Sequence, residues 1–279
     1  MNRTINMRFP EGRNRALTFS YDDGVKQDIR FAELLEAHGM KGTFNLNAGL
    51  YPSDEKVLAG ATNRLSKKQI TEFFSGRPHE IATHAYTHPT LNSLPPSGVC
   101  YEILRDREEL EAQFGRVIRG HAYPYGSYSD EVVESLRACG ILYARTTVST
   151  EGFSLPEDWL RLPATCHHNC PRLMELAKKF VERDFRFTPG LFYLWGHTYE
   201  FDNNNNWHVI EEFLDFMAGR EEQIWYATNE EIFTYIEDYR RLIFSADCTL
   251  VYNPTARTLW FKHHQDTRSI APGETLCLK

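Results

Sequence analysis

Leu17-Thr18-Phe19-Ser20-Tyr21-Asp22-Asp23-Gly24 is an apolar, β-prone run that ends in two adjacent carboxylates and a glycine. A short run of this kind, bounded by turn residues, predicts a strand over residues 16–20. The residues just past the strand decide between architectures. A doubly wound nucleotide-binding sheet would place a glycine-rich phosphate loop here, and neither G-x-G-x-x-G nor G-x-x-x-x-G-K-[ST] occurs anywhere in the chain. Asp-Asp-Gly is also ordinary surface-turn chemistry. Successive side chains in an extended or tightly turning segment diverge, so one carboxylate of such a pair can bind a cation while the other serves as a general base.

Outward from this strand, short apolar runs alternate with helical periodicity as far as residue 242, the pattern of βαβ units and a parallel sheet. Strands are predicted at 42–46, 80–83, 120–122, 142–146, 191–195 and 225–227, with one or two more near 160–163. Helices are predicted at 26–38, 66–74, 97–114, 129–138, 171–183, 207–217 and 229–241, several opened by Ser, Asn or Asp caps or by an early Pro. The expected fold is α/β, a distorted (β/α)7–8 barrel over residues 1–242 whose functional residues lie on the loops after the strands. Residues 243–279 read as a short β-rich extension, with strands at 249–252, 258–262 and 275–278, packed on the barrel because so short a piece rarely supports its own core.

Composition narrows the function. The 279 residues are 42% hydrophobic and 25% charged, with a formal net charge of -7 and no basic run or stripe, which argues against a nucleic-acid partner. The N-terminal residues 1–8 hold no apolar stretch long enough for a signal-peptide core, and no window approaches a membrane span, so no membrane partner and cytoplasmic residence are the expectations. The six cysteines are dispersed and are expected to be reduced.

Thr83-His84-Ala85-Tyr86-Thr87-His88-Pro89 carries two histidines four apart, one helical turn. Neutral imidazoles at that spacing can share a cation, and three protein ligands with open positions is the arrangement of a catalytic site. His79-Glu80 does not complete an H-E-x-x-H signature, since His84 is five residues from His79. Leu191-Phe192-Tyr193-Leu194-Trp195-Gly196-His197 is a strand that delivers a further histidine at its C-terminal end, placed to protonate a leaving group.

The order Asp22-Asp23-Gly24, His84-x-x-x-His88, Tyr123-Pro124-Tyr125-Gly126 and a late His197 resembles the polysaccharide deacetylase family, carbohydrate esterase family 4 with its NodB homology domain, over residues 15 to about 200. The resemblance implies a metal-dependent hydrolase that removes N- or O-linked acetyl groups from an acetylated oligo- or polysaccharide by metal-activated water. It implies one divalent cation, zinc first and cobalt or manganese next, held by Asp23, His84 and His88. Asp22 would be the base, His197 the acid, and the backbone N–H of Tyr125 the oxyanion donor.

Two departures accompany it. The family's arginine two residues before the Pro of Pro-Tyr-Gly is Ala122 here, and Arg145 or Arg161 is the expected substitute, since a nearby cation keeps a base ionised. The Asp-rich fourth motif is missing from 150–159, which leaves Asp202 and Glu200 as candidates to orient His197. Substrate contacts are expected from Tyr123, Pro124, Arg145, Trp195 and Tyr199, with Trp207 and Tyr128 as further aromatic candidates. Cys166-His167-His168-Asn169-Cys170 reads as a loop beside the cleft, a second metal site being the alternative. A non-catalytic carbohydrate-binding barrel and an amidase for a small amide are the competing functions.

Overall fold

The computed structural model describes residues 5–278. Its strands are β1 (Ile5–Arg8), β2 (Arg15–Asp22), β3 (Thr43–Leu46), β4 (Glu80–Thr83), β5 (Gly120–Ala122), β6 (Tyr143–Ser149), β7 (Leu162–Ala164), β8 (Cys166–His167), β9 (Gly190–Gly196), β10 (Ile224–Tyr226), β11 (Ile243–Phe244), β12 (Leu250–Tyr252), β13 (Leu259–His263), β14 (Asp266–Ile270) and β15 (Thr275–Cys277). The helices are α1 (Gln27–Ala37), α2 (Asp54–Leu58), α3 (Lys67–Phe74), α4 (Pro96–Phe114), α5 (Asp130–Ala138), α6 (Leu173–Glu182), α7 (Tyr199–Asn203), α8 (Trp207–Met217) and α9 (Asn229–Arg240).

Strands β2 to β10 form one parallel sheet in the order β7-β6-β5-β4-β3-β2-β9-β8, with β10 beside the first half of β2. The two ends of that order meet through the chain itself. Only Thr165 separates β7 from β8; β7 pairs with β6, Arg145 opposite Leu162, and β8 pairs with β9, Cys166 opposite Leu194. One extended run thus bridges both edges, and the sheet becomes the nearly closed, distorted (β/α) barrel that the alternation predicts. Cys166-His167, read from the sequence as loop, is one of its strands.

Alternation along β2 sets inside from outside. Leu17, Phe19 and Tyr21 pack outward against Phe31, Ala32 and Leu35 of α1, and Phe19 meets Phe213 of α8 edge-on at 6.2 Å. On the opposite face Thr18 donates to Asn229 Oδ1 at 2.9 Å, and Ser20 Oγ accepts from Asn45 Nδ2 at 2.9 Å. The lumen is therefore a buried polar network. Helices start where the sequence signals place them: Ser66 with Gln69 and Thr228 with Glu231 close capping boxes on α3 and α9, and Pro96 stands in the first turn of α4.

The C-terminal stretch folds as two antiparallel sheets, β1-β13-β14 and β11-β12-β15. The first recruits the N-terminal strand, Ile5 lying opposite His263, which sequence patterning does not anticipate. Phe9, Ile232, Tyr235, Ile236, Leu259 and Phe261 share one apolar cluster beneath the barrel. Among the described residues no helix is long and apolar enough to cross a membrane.

Candidate active site

Parallel strands deliver their last residues to one barrel end. Asp22 closes β2, His84 follows β4, Arg145 lies in β6 and His197 follows β9. Asp22 is 2% exposed, and both its oxygens are engaged: Oδ1 accepts from Asn45 Nδ2 at 2.8 Å, and Oδ2 accepts from the Arg145 guanidinium. His84 Nε2 and His197 Nε2 lie 3.7 and 3.8 Å from Oδ2. Burial by itself would raise the carboxyl pKa, but Arg145, His84 and His197 outweigh it and hold Asp22 well below the usual carboxylate range. Of the two expected substitutes for the arginine missing at Ala122, Arg145 reaches Asp22; Arg161 instead pairs with Asp158 and Asp130 at 2.5 and 2.6 Å.

Asp23, His84 and His88 bring one ligand atom each within 4.8 Å of the others. His84 Nδ1 donates to the Ala122 carbonyl at 2.7 Å, which leaves its Nε2 lone pair free. His88 Nε2 stands 3.1 Å from that nitrogen and 3.8 Å from Asp23 Oδ1. Two nitrogens bound to one tetrahedral ion at about 2.0–2.1 Å would be about 3.3 Å apart. Burial lowers the pKa of both imidazoles, and burial with neighbouring His84 brings His88 down to about 4, so both are neutral at physiological pH, as ligands must be. This donor set fits a divalent cation.

The His84–His88 segment is a loop rather than the helical turn its spacing suggests. Ala85 and His88 take φ of 60° and 56°, and Pro89 disfavours helix at His88. Side chains hold the loop instead: Asn47 Nδ2 donates to the His84 and Ala85 carbonyls, Asp106 Oδ2 accepts from His84 N at 3.1 Å, and Glu102 accepts from Thr87 N at 2.7 Å. Asp23 and Tyr125 also have positive φ, 89° and 57°, so four non-glycine residues in left-handed backbone cluster at this one site. The turn at Tyr125 needs Gly126, since a Cβ there would fall 2.2 Å from Thr147 Oγ1. The exposed Tyr125 ring stands edge-on to His88 at 4.5 Å.

Not every expected contact residue reaches the site surface. Tyr123 and Pro124 are buried, the Tyr123 hydroxyl donating to the Leu160 carbonyl at 2.8 Å, so neither side chain is free to line a sugar cleft. Trp195 lies under the Arg145 guanidinium at 4.3 Å. Trp207 is buried against Phe201, and Tyr128 packs on Tyr123. Tyr199 does approach, its ring 5.3 Å from that of His197. Three contributors carry no sequence signal: Asn45 on Asp22, Arg64 paired with Asp23 Oδ1 at 3.0 Å, and Asp28, which accepts from the Thr198 hydroxyl at 2.6 Å and so ties the His197 loop to α1. Of the candidates to orient His197, Glu200 makes the contact, Oε1 to Nδ1 at 2.9 Å, while Asp202 bonds Gln27 and Trp207.

The family model for polysaccharide deacetylase matches residues 10–144, a span that holds Asp22, Asp23, His84, His88 and Tyr125. Among solved structures, a Mycobacterium smegmatis protein assigned as a polysaccharide deacetylase superposes with a TM-score of 0.61 at 16% identity, covering 84% of this chain and 94% of that one. A mutant of a Bacillus anthracis family 4 carbohydrate esterase pseudoenzyme, with restored enzymatic activity, gives 0.50 at 18% identity over 82% and 70% of the two chains. The chain spans 62% of the length of Streptococcus pyogenes deacetylase PplD in complex with acetate, at 21% identity, 52% coverage of this chain and a TM-score of 0.44. Identities this low speak for the fold alone. The family model thus matches the motif-bearing segment, short of half the chain, and the barrel is the fold shared with the Mycobacterium smegmatis and Bacillus anthracis structures.

Proposed function

We propose that the protein is a metal-dependent hydrolase that removes acetyl groups from a carbohydrate. The observation that carries this reading is the convergence of a buried, ionised Asp22 with an oriented His197 beside the Asp23/His84/His88 trio. Asp23, His84 and His88 would hold a divalent cation, zinc first and cobalt or manganese next, which when bound supplies Lewis acidity to the acetyl carbonyl and to water. Asp22, kept ionised by Arg145, takes the proton from the attacking water as general base. The Tyr125 backbone N–H, presented by its left-handed turn, donates to the developing oxyanion. His197 gives its proton to the leaving amine or alcohol. Its pKa is raised: burial pushes it down, but the Glu200 hydrogen bond and the Asp22 and Asp23 charges push it up further, the direction a general acid needs. Tyr199 forms the side of the site nearest His197, with Trp195 buried beneath the Arg145 guanidinium.

The non-catalytic reading rests on the arginine missing at position 122, and Arg145 on Asp22 weakens that motive. The test is acetate release from acetylxylan, xylo-oligosaccharides and chito-oligosaccharides with added zinc, cobalt or manganese. Metal-dependent acetate from at least one substrate is expected, with Asp22→Asn slowing it by about a hundredfold or more while zinc binding is kept. Acetate from none of them, with any metal, would end this reading.

A further inference from the structure

Cys166-His167-His168-Asn169-Cys170 has no part in the mechanism above, yet three of its side chains converge on one carboxylate. Asn169 Nδ2 donates to Glu200 Oε2 at 2.7 Å, and Asn206 Nδ2 fixes that amide from behind by donating to Asn169 Oδ1 at 3.3 Å. His167 Nδ1 accepts from the Asn169 backbone N–H at 3.1 Å, so its proton is on Nε2, which faces Glu200 Oε2 at 3.4 Å. His168 is wholly buried, its ring stacked near those of Tyr21 at 5.7 Å and Phe201 at 4.2 Å. Its Nε2 lies 3.1 Å from the same oxygen, though at an angle short of a good hydrogen bond. Room for this ring comes from Gly196, where a Cβ would fall 2.0 Å from His168 Nδ1. With Oε2 crowded by donors, Oε1 is left to His197 Nδ1 at 2.9 Å, which turns His197 Nε2 toward Asp22.

From this geometry we propose that Glu200 is the positioning residue of His197, and that the 166–170 segment holds Glu200 in place to do it. The proposal rests on the reading of His197 as the general acid. It explains why the chain does without the Asp-rich motif absent from 150–159. His167, His197 and Glu200 also satisfy the distance criterion for a cation, their ligand atoms lying within 4.8 Å of one another. The hydrogen bonds decide against that use: His167 spends its Nδ1 lone pair on a backbone N–H, so its Nε2 carries a proton and has none to offer. The Glu200 carboxylate, despite burial, is held well below its usual range by His168 and His197 ahead of His167, a state suited to sharing the proton of an imidazolium.

The test tracks the His197 ring by NMR, assigned with His197→Gln, in the zinc-loaded protein and in Glu200→Gln, an isosteric change that keeps an acceptor and removes the charge. The groups facing the ring are Asp22 at the end of β2 and Asp23 just past it, His167 of β8, and Tyr199 and Glu200 of α7. In the unaltered protein the ring is expected to titrate above the ordinary histidine value, and in Glu200→Gln lower by about one pH unit or more. The basic limb of kcat/KM moves down with it, because the acid loses its proton earlier, and kcat falls about ten- to a hundredfold. Zinc stoichiometry stays unchanged. A His197 titration indifferent to Glu200→Gln overturns the proposal, as does a second equivalent of zinc that both His167→Ala and Glu200→Gln abolish. If the protein released no acetate at all, the functional reading would fail while the NMR arm still answered whether Glu200 controls His197.

Discussion

At the scale of single residues, the pair that governs the site is Asp22 with Arg145. Each is almost fully buried, at 2% and 1% exposure, so each depends on the other for the charge it has lost to solvent. Arg145→Met strips the guanidinium and leaves the carboxylate against an apolar neighbour, which is expected to lower the unfolding free energy by about 3 kcal/mol. Asp22→Asn alone leaves the guanidinium unpaired. The double variant removes both charges, so its loss should be clearly smaller than the sum of the two single losses in urea unfolding at neutral pH. Simple additivity would show that the two side chains do not depend on one another. Ala122 leaves the orientation of His84 intact, because the contact it makes with His84 uses its backbone carbonyl, which any residue provides.

Among elements, the lower end of the barrel is tied together by one acid. Glu80, at the start of β4, accepts from Tyr143 Oη of β6 at 2.6 Å, Thr43 Oγ1 of β3 at 2.8 Å and Glu230 N of α9 at 2.9 Å. Burial nevertheless raises its pKa to about 7, more than these donors lower it. A folded-state pKa above the unfolded one means that folding takes up a proton, so the contribution is fully present below the usual carboxylate range and is lost as pH rises towards about 7. Unfolding free energy should therefore fall by up to about 1.4 kcal/mol per pH unit across that window, and Glu80→Gln should flatten the slope; an unchanged slope in the variant would assign it to other groups. Elements such as β4 were legible because their period and caps are local properties: β4, β5 and α8 run as the pattern predicts, and Asp22, His84 and His197 follow from strand ends alone. The helical turn expected at His84–His88 failed because Asn47, Glu102 and Asp106, far away in sequence, supply the loop's hydrogen bonds. Tyr123 looked like a site aromatic because sequence does not tell which way a strand-end ring turns. Glu200 could only be a candidate, since its partners come from β8 and the loop after it, a segment with neither helical nor strand periodicity of its own.

Over the whole molecule, closure of the barrel and attachment of the C-terminal sheets are separate problems, and the chain solves the second with its own N-terminus. β1 enters a sheet with β13 and β14, and Tyr235 of α9 links both sides of the joint, donating to the Arg8 carbonyl at 2.7 Å and accepting from Trp260 N at 2.9 Å. We propose that residues 243–279 act as a packed floor of the barrel domain rather than as an independent module. A chain ending at residue 242 would uncover Phe9, Ile232, Tyr235 and Ile236, which share their apolar cluster with Leu259 and Phe261. At about 1.5–3 kcal/mol for each large apolar side chain, that exposure rivals the entire stability of a typical domain, about 5–15 kcal/mol. The truncated chain is therefore expected to lose cooperative thermal unfolding, monitored by circular dichroism. Phe261→Ala, which keeps the strand but empties the centre of the cluster, should destabilise the full chain by about 3–5 kcal/mol. A truncated protein that unfolds cooperatively with the midpoint of the full chain would instead mean that the floor is dispensable, and that the barrel buries its lower face without it.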